Sequence, residues 1–372
     1  MSNSFVTPTM VARDASIVLN NLLTVGNVVH RDKEAQFTGS KIGDSLKVTI
    51  PPVLGDANEF TGETSATAIK ETEIDLTLEK HFYQRVDLTT KQKSLQLHDF
   101  TRLVTVPVMR SISQSINKYF LSQLQVFRAQ LAGTIGNRPS TMAHLAAANK
   151  ALNDAFIPEQ GRVMLVDTTV EQSLIQLAQF TSQDYGSDGP TGLRNATLGT
   201  RYGLTYIRDA MLGAFARGDI AGTILADGIQ AVGAEEVKLK DFTEATGTVR
   251  AGTVFTLAGD TTRYVVRKDA AIASNKATVR VYPAIKAEAA DNTVATVEAA
   301  GYMNVAFHPN AVTGAIVAPE PLNGNSARQS INGIGVRVSM DSSLVTLADS
   351  MVIDVFAGAR VIQPNGGVLV AG

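Results

Sequence analysis

One apolar stripe constrains the fold of this chain more than any other feature. The segment DFTRLVTVPVMRSISQSINKYFLSQLQVFRAQLAG runs from Asp99, a suitable N-cap, to Gly133. Apolar residues recur in it at steps of three and four, which predicts one face of an α-helix. They are Met109, Ile112, Ile116, Phe120, Leu124, Phe127 and Leu131. Beyond Pro107, which kinks the helix or marks its start, the helix would be about 37 Å long. It would serve as the backbone of a domain.

The segment before this helix predicts an arm and a hairpin. Residues 1–40 are irregular except for a helix in DASIVLNNLLTVG, where Ile17, Leu19, Leu22 and Leu23 could share a face. SLKVTIPPVL, starting at Ser45, and TEIDLTLEKHFYQRVDL each alternate like a strand. The polar stretch GDANEFTGETSATAIK separates them. Because loops of that length are uncommon inside compact domains, we expect a long hairpin that reaches away from the body.

An α/β pattern follows the long helix. Residues 141–156 predict an Ala-rich helix, RVMLVD a buried strand, and TTVEQSLIQLAQF a second helix whose Thr168 and Glu171 fit a capping box. We expect this strand to be covered on both faces. The next stretch is rich in glycine, but it lacks the spacing of a phosphate-binding loop. It leads into a strand near Leu204–Arg208.

The pattern changes to short strands between residues 229 and 301. The stretch AGTVFTLAGDTTRYVVRKD, from Ala251 to Asp269, predicts a hairpin that turns at Gly259-Asp260. Its neighbours alternate in the same way, which indicates a small β-sandwich or barrel. The segment that follows is apolar and strand-like, as in a buried core, and reads MNVAFHPNAVTGAIVAP. In the last forty residues, breaks at Asn332-Gly333, Ala357-Gly358 and Asn365-Gly366-Gly367 separate further strands.

The sequence carries no recognisable catalytic or metal-binding motif. The chain has no cysteine, so disulfides and thiolate chemistry are excluded. The five histidines have no metal-ligand spacing, and we interpret His308 as structural and not as a ligand. We therefore expect no enzymatic activity, no cofactor and no metal. No secretory signal or membrane-spanning run is present, so we expect a cytosol-like compartment.

Charge and composition favour association with other protein chains. The net charge is −2 and no dense basic run is present, which argues against specific nucleic-acid binding. Only 18% of the 372 residues are charged and 44% are hydrophobic. We infer that partners cover much of the surface and that self-assembly is favoured.

This order of parts resembles the major capsid proteins of tailed bacteriophages, which have the Hong Kong 97-type phage capsid fold. The phrases TLGTRYGLTYIRDAML, NVAFHPNAVTGAIVAPEPL, GIGVRVSMD and VIDVFAGARVIQP are similar to stretches of the coat-protein branch typified by the short-tailed Salmonella phages. In that branch an Ig-like or telokin-like domain interrupts the A-domain. The resemblance spans essentially the whole chain, which is shorter than the typical member.

The resemblance implies an α+β fold with a small all-β insertion. The implied parts are an N-terminal arm (1–40), an E-loop hairpin (41–92), a P-domain spine helix (93–140), an A-domain (141–228), an inserted β-barrel or Ig-like domain (229–301), an A-domain return (302–330) and closing strands of the A- and P-domains (331–372). The expected contacts between subunits come from the E-loop tip and from the arm. They are Asp56, Glu59, Glu63 and Lys70 at the tip, and Arg13, Arg31, Lys33 and Glu34 in the arm.

The resemblance also implies a virion shell protein, assembled in the host bacterial cytoplasm as pentamers and hexamers. Its partners would be further copies of itself, a scaffolding protein, a portal protein, decoration proteins in some cases, and packaged DNA bound without specificity on the inner face; no membrane is involved. Two alternatives stay open. One is a bacterial nanocompartment shell of the same fold, and the other is a phage tail or adhesin component.

Overall fold

Helices lie mostly in the first half of the chain and strands mostly in the second. The computed structural model describes residues 7–34, 37, 45–50, 72–88, 100–181, 198–215, 217–218, 220–322, 324–343 and 348–372. The chain divides into two units. Unit 1 comprises Met1–Leu23, His30–Ile116 and Val312–Gln363, and unit 2 comprises Thr24–Val29, Asn117–Ala311 and Pro364–Gly372.

The helices in the described residues differ in length and type. The α-helices are α1 (Pro8–Leu22), α2 (Val25–Val28), α3 (Val106–Gln123), α4 (Met142–Asp154), α5 (Thr168–Ile175) and α6 (Ala178–Thr181). A π-helical turn (Thr101–Thr105) precedes α3, and 3-10 turns occur at Leu124–Ala129, Pro309–Ala311 and Pro364–Gly366. The mixed helix and strand class expected from the sequence is confirmed.

The first helix begins earlier than its sequence pattern indicated. Thr7 caps α1, and its side chain accepts a hydrogen bond from the Met10 N–H at 3.4 Å. The buried face of α1 consists of Val11, Ala12, Ala15, Ser16 and Leu19. The predicted face was therefore wrong in part, since Leu19 is buried but Ile17 is 41% exposed. The small residues on this face let α1 pack closely on two strands of unit 1.

The long helix forms where the apolar stripe predicts it. Its first part is π-helical, because Pro107 has no N–H to continue the usual ladder and Val106 bonds back to Thr101. The stripe from Met109 to Phe127 is buried. The helical segment ends with the 3-10 turn at Ala129, so the prediction that it extends to Gly133 was wrong. Leu131 instead lies in a short strand.

Unit 1 contains a two-stranded and a five-stranded antiparallel sheet. Its strands are β1 (Ser45–Ile50), β2 (Thr72–Thr77), β3 (Lys80–Leu88), β19 (Val312–Val317), β20 (Ser326–Ile331), β21 (Ile334–Ser343) and β22 (Ala348–Val361). β22 pairs with β3 along one edge, and with β21 and then β19 along the other. The break predicted at Asn332-Gly333 is the turn of a hairpin of β20 and β21, and both turn residues have positive φ.

Two strand predictions in unit 1 were wrong, one at TEIDLTLEKHFYQRVDL and one at Ala357-Gly358. TEIDLTLEKHFYQRVDL is two strands, since β2 pairs with β1 whereas β3 pairs with β22. Ala357-Gly358 does not separate strands, because β22 runs through it. A Cβ on Gly358 would lie 2.4 Å from the Thr77 carbonyl oxygen. This glycine therefore permits a close approach of two chain segments.

A six-stranded mixed sheet in unit 2 carries the α/β pattern. Its strands, in spatial order, are β4 (Leu131–Ala132), β23 (Gly367–Val370), β18 (Val305–Phe307), β5 (Val163–Val166), β7 (Leu204–Arg208) and β6 (Thr200–Arg201). β5 is buried throughout, as expected. The helix after it begins one residue earlier than predicted, because Asp167 and not Thr168 is the cap. Its carboxylate accepts from the Val170 N–H at 2.7 Å.

An eight-stranded antiparallel sheet occupies residues 224–297 of unit 2. Its strands are β9 (Ile224–Ala226), β10 (Glu236–Lys240), β11 (Thr246–Val249), β12 (Val254–Leu257), β13 (Tyr264–Val266), β14 (Ala270–Ala273), β15 (Lys276–Tyr282) and β16 (Val294–Val297). A separate pair joins β8 (Ala214–Phe215) to β17 (Gly301–Tyr302).

The eight-stranded sheet has a hydrophobic cluster of its own, built from residues between Ile220 and Val297. The hairpin of β12 and β13 is present as predicted, with Val254 opposite Val265. In its turn, the carboxylate of Asp260 accepts hydrogen bonds from the Thr262 N–H and the Tyr264 hydroxyl. β9 lies before residue 229, so the sheet includes a strand outside the block that the sequence pattern marked.

Candidate functional site: the buried carboxylate of the arm

The residues expected at subunit contacts fall into two groups. Asp56, Glu59, Glu63 and Lys70, the predicted E-loop tip, lie outside the described residues. In the predicted arm, Arg13 is exposed on α1, whereas Arg31 and Lys33 are partly buried and Glu34 is buried. Their role in contacts between subunits stays a prediction.

The arm is attached to the sheet of unit 1 through its backbone. The N–H of His30 donates to the Val312 carbonyl at 3.1 Å, and the N–H of Gly314 donates to the His30 carbonyl at 2.9 Å. These two bonds form a parallel bridge between His30 and Thr313. Because β19 starts at Val312, the arm is fixed at the edge strand of the sheet.

Glu34 is a buried acidic residue of the arm. Only 5% of the residue is exposed. One carboxylate oxygen accepts from the backbone N–H of Ile316 at 3.0 Å, and the same oxygen lies 3.2 Å from the Arg31 guanidinium. The structure thus brings Arg31 and Glu34 together, whereas Lys33 lies 3.7 Å from Asp32. The paired groups partly offset the cost of burying a carboxylate.

A glycine provides the space that the carboxylate occupies. Gly333 is in the β20–β21 turn with φ +83°, and a Cβ built on it would lie 2.0 Å from Oε2 of Glu34. Position 333 requires glycine for two reasons. The turn needs a left-handed backbone there, and the carboxylate of Glu34 lies where a Cβ would be.

Burial controls the titration of Glu34. Loss of solvation raises its pKa, and the Arg31 charge and the Ile316 N–H lower it by less, so that the pKa is about 7 in place of the usual 4.5. This carboxyl group therefore changes charge near neutral pH while it holds the arm to β19. Its contacts with Arg31 and with the Ile316 N–H fit a role in holding the arm in place.

A second buried charge cluster was missed by sequence reasoning. Asp354, 2% exposed, accepts from the Arg337 guanidinium through both oxygens, with Nε at 2.9 Å from Oδ1. His81 lies 2.8 Å from the same carboxylate, and its ring centroid lies 4.5 Å from that of Phe356. The cluster links β3, β21 and β22. A single acidic residue within the apolar run MVIDVF was the available signal.

The sequence interpretation of His308 agrees with the structure. Its Nε2 lies 3.1 Å from the Gln160 carbonyl, to which it donates, and its Nδ1 accepts from the Asn310 N–H at 3.2 Å. Both ring nitrogens are thereby used within the chain. Across the described ranges, no group of three or more His, Asp or Glu side chains is arranged to hold a metal ion. In the same ranges, no helix has the length and apolarity needed to cross a membrane.

Comparison with known proteins gives a fold but no family. No protein-family model matches the chain. No curated protein matches it either. Among solved structures, a chain described as "Mycobacterium phage Che8" is 16% identical, with 93% of this chain and 90% of that chain covered and a TM-score of 0.52. The chain therefore shares the fold of that phage structure.

Two further structures resemble the chain at lower scores. The "Capsid structure of the Cyanophage P-SCSP1u" is 11% identical, covering 88% of this chain and 83% of that one, with a TM-score of 0.46. The "Capsid of Ralstonia phage GP4" is 9% identical, covering 97% and 88%, with a TM-score of 0.44. The fold assignment rests on the Che8 structure, since both of these scores are below 0.5.

Proposed function

We propose that this chain is the major capsid protein of a tailed bacteriophage, which self-assembles as pentamers and hexamers into an icosahedral shell around double-stranded DNA. One observation carries the proposal, namely the fold shared with the Mycobacterium phage Che8 structure over 93% of this chain and 90% of that chain. The sequence resemblance to the Hong Kong 97-type phage capsid proteins points to the same class.

The elements of the chain have counterparts in that architecture. The segment with α1 and Glu34 corresponds to the N-arm, α3 to the spine helix, and the six-stranded sheet of unit 2 to the A-domain. The eight-stranded sheet, with its own hydrophobic cluster, supports an inserted domain as in the short-tailed Salmonella phage branch. Its position within the A-domain sequence is the feature that favours this branch.

Assembly would distribute the binding energy over many contacts. A standard protein interface buries about 1,600 Å² in total, and each subunit of a shell takes part in several. Modest contacts therefore add up to a shell that is difficult to open. The E-loop tip residues Asp56, Glu59, Glu63 and Lys70 would contribute charge pairs that set register more than affinity.

The proposed partners follow from the same role. They are a scaffolding protein during assembly, a portal protein at one vertex, decoration proteins in some cases, and DNA. A net charge of −2 suits a container, because strong binding to the inner face would hinder release of the genome. We therefore propose weak and sequence-independent contact with DNA. The shell would be a virion component assembled in the host cytoplasm.

Expression of the chain alone and with its scaffolding partner, followed by negative-stain electron microscopy, tests this function. Closed shells or capsomers are expected. Fibres or tubes would favour a tail or adhesin component instead. Shells that contain a cargo enzyme in place of DNA would favour a nanocompartment. Monomers under every condition would contradict self-assembly.

A further inference from the structure

β3 is a long edge strand of the five-stranded sheet in unit 1. All of its residues, Lys80–Leu88, pair with β22 along one edge. Among the described residues, no strand pairs with its other edge. Strands usually have about five or six residues, so this edge is long for its kind. Its backbone N–H and C=O groups offer a template on which a further strand can pair.

The edge of β3 lacks two features that keep other strands away. Its register against β22 advances by one residue at each step, so no bulge interrupts it, and its sequence KHFYQRVDL contains no proline. Its side chains lie at the surface, since Tyr83 is 67% exposed and the side chains of Arg85 and Asp87 are 64% and 73% exposed. A regular, exposed edge of this kind is suited to pairing with another chain.

The geometry of a ladder limits how β3 can pair with a second copy of itself. Only alternate residues direct their backbone N–H and C=O groups to the free edge, so an antiparallel pair must match such residues with each other. The two-fold axis of the pair therefore passes through a residue and not between two residues. Gln84 is the middle residue of β3, and an axis through it overlaps the whole strand in both copies.

The charges of the segment favour the axis at Gln84 over its two neighbours. An axis at Arg85 would place the Arg85 side chains of the two copies opposite each other. An axis at Tyr83 would place Glu79 opposite Asp87 of the other copy. Like charges directly opposite each other destabilise paired strands. With the axis at Gln84, no two charges of the same sign lie opposite each other within β3.

This register matches the side chains on one face of β3. Arg85 would face Tyr83 of the other copy, and a guanidinium is attracted to the face of an aromatic ring. Asp87 would face His81, whose side chain is 45% exposed although its Nε2 lies 2.8 Å from Asp354. Arg85 and Asp87 lie 3.5 Å apart within one copy, so the two contacts adjoin. The two-fold axis repeats both of them.

The other face of β3 is matched in the same register. Phe82 and Val86 are half-buried, and each would face the other residue in the second copy. Aromatic and β-branched side chains form favourable pairs across strands. Gln84 would face Gln84, and amide side chains can donate and accept hydrogen bonds with each other. The strand is therefore self-complementary on both faces.

We propose that β3 of one copy pairs antiparallel with β3 of a second copy, about a two-fold axis at Gln84. The contact is isologous, since the same surface is used on both sides, and it joins two five-stranded sheets into one continuous sheet. A two-fold contact cannot close a ring of five or six subunits. In a shell it would join neighbouring capsomers. It requires only two copies of the chain and so goes beyond the proposed function.

A single cysteine tests this pairing, because the chain has none of its own. Gln84→Cys would place two thiols opposite each other, with the Cα atoms about 5 Å apart, a separation that a disulfide can span. Lys80→Cys is the matched control, since Lys80 is exposed and lies on the same face of β3. Its two copies would be eight residues out of register, about 27 Å apart.

The full-length variants are oxidised with diamide and the linked dimers are measured over time. Gln84→Cys should form them at least ten times faster than Lys80→Cys. Equal rates, or no linked dimer from Gln84→Cys, would overturn the proposal. If Gln84→Cys links but the wild-type chain forms no shells, the proposed function fails and the pairing is supported. Shells without this link would support the function and overturn the pairing.

Two variants of Tyr83 test the register without a disulfide. Tyr83→Arg would place a cation opposite Arg85 of the other copy, whereas Tyr83→Glu removes the same ring and would place an anion there. Because Tyr83 is exposed, the urea midpoints of both variants should stay near that of wild type. Sedimentation equilibrium at low salt should give a dimer dissociation constant at least tenfold higher for Tyr83→Arg than for Tyr83→Glu, and salt should reduce the difference. Equal constants at low salt would overturn the proposal.

Discussion

The carboxylate of Glu34 accepts a hydrogen bond from the backbone N–H of Ile316 at 3.0 Å, across 282 positions of sequence. Through this bond and the backbone bridge at His30, the arm is fixed to β19 within a single chain. Because Glu34 is buried and titratable, a change in its charge alters the free energy of this contact.

Replacing Gly333 with alanine should strongly destabilise the chain. The new Cβ would lie 2.0 Å from Oε2 of Glu34, and the residue would still require φ +83°. Gly324 is the matched control, since it has φ +105° and no atom within 4 Å of a Cβ. Gly324→Ala should cost about 1 kcal/mol from backbone strain alone, and Gly333→Ala should cost clearly more. Urea unfolding of the unassembled subunit measures both; equal losses would show that Gly333 provides no space for Glu34.

Glu34 should make the chain less stable as the pH rises. Its folded pKa, about 7, lies above its unfolded value of 4.5. Its contribution to stability is therefore fully present below pH 4.5 and is lost between pH 4.5 and about 7. The difference between the folded and unfolded pKa values corresponds to at most about 3 kcal/mol in the free energy of unfolding.

The Glu34→Gln variant isolates this effect, because glutamine is neutral at every pH and its oxygen can still accept from the Ile316 N–H. The stability of the variant relative to wild type should increase between pH 4.5 and 7.5. Glu159→Gln, at an exposed site, should show no such trend. If the unfolding free energies of wild type and Glu34→Gln changed with pH in the same way, the raised pKa of Glu34 would be refuted.

Breaking the buried Arg337–Asp354 pair should destabilise the chain far more than breaking an ion pair at the surface. Asp354→Asn removes the charge that compensates the guanidinium of Arg337, whose side chain is 12% exposed. A loss of about 3 kcal/mol is expected, since breaking a buried pair leaves the other charge uncompensated. The control is Lys47–Glu73, which has a 2.7 Å contact but side chains that are 70% and 49% exposed. Glu73→Gln should cost under about 1 kcal/mol. Similar losses at both sites would contradict the difference in burial.

The eight-stranded sheet should fold as an independent fragment if it includes β9. Ile224 and Ala226 of β9 are buried, and Ile224 belongs to the cluster of this sheet. A fragment of residues 217–300 should unfold cooperatively in urea, as expected for a domain with its own core. The shorter fragment 229–301, which lacks β9, should be less stable. An unfolded spectrum for the longer fragment by NMR would indicate that the sheet is not an inserted domain.

Sequence patterns correctly predicted the helices and turns that are determined by neighbouring residues. The stripe from Met109 to Phe127 shows its period in the sequence, and the turn at Asn332-Gly333 is determined by two residues that tolerate positive φ. Leu131 continued the helical period and was misassigned, because pairing with Leu369 of β23 places it in a strand. Tertiary pairing overrides periodicity at such positions.

The candidate site depends on long-range packing, which explains why it was only partly predicted. Glu34 was expected in a contact, but its partner Ile316 and the space at Gly333 follow from the folded sheet. Asp354 interrupts an apolar strand pattern, and its pairing with Arg337 depends on the register of β21 against β22. A register cannot be deduced from one strand alone, since it is set by turns and by the packing of both faces.

Cryo-electron microscopy of particles assembled from this chain tests the central claim most directly. The account predicts closed icosahedral shells in which pentamers and hexamers are built from a single chain, with the eight-stranded sheet resolved as a separate lobe of each subunit. Open helical tubes, or subunits that remain monomeric at every concentration and with the scaffolding partner present, would contradict it.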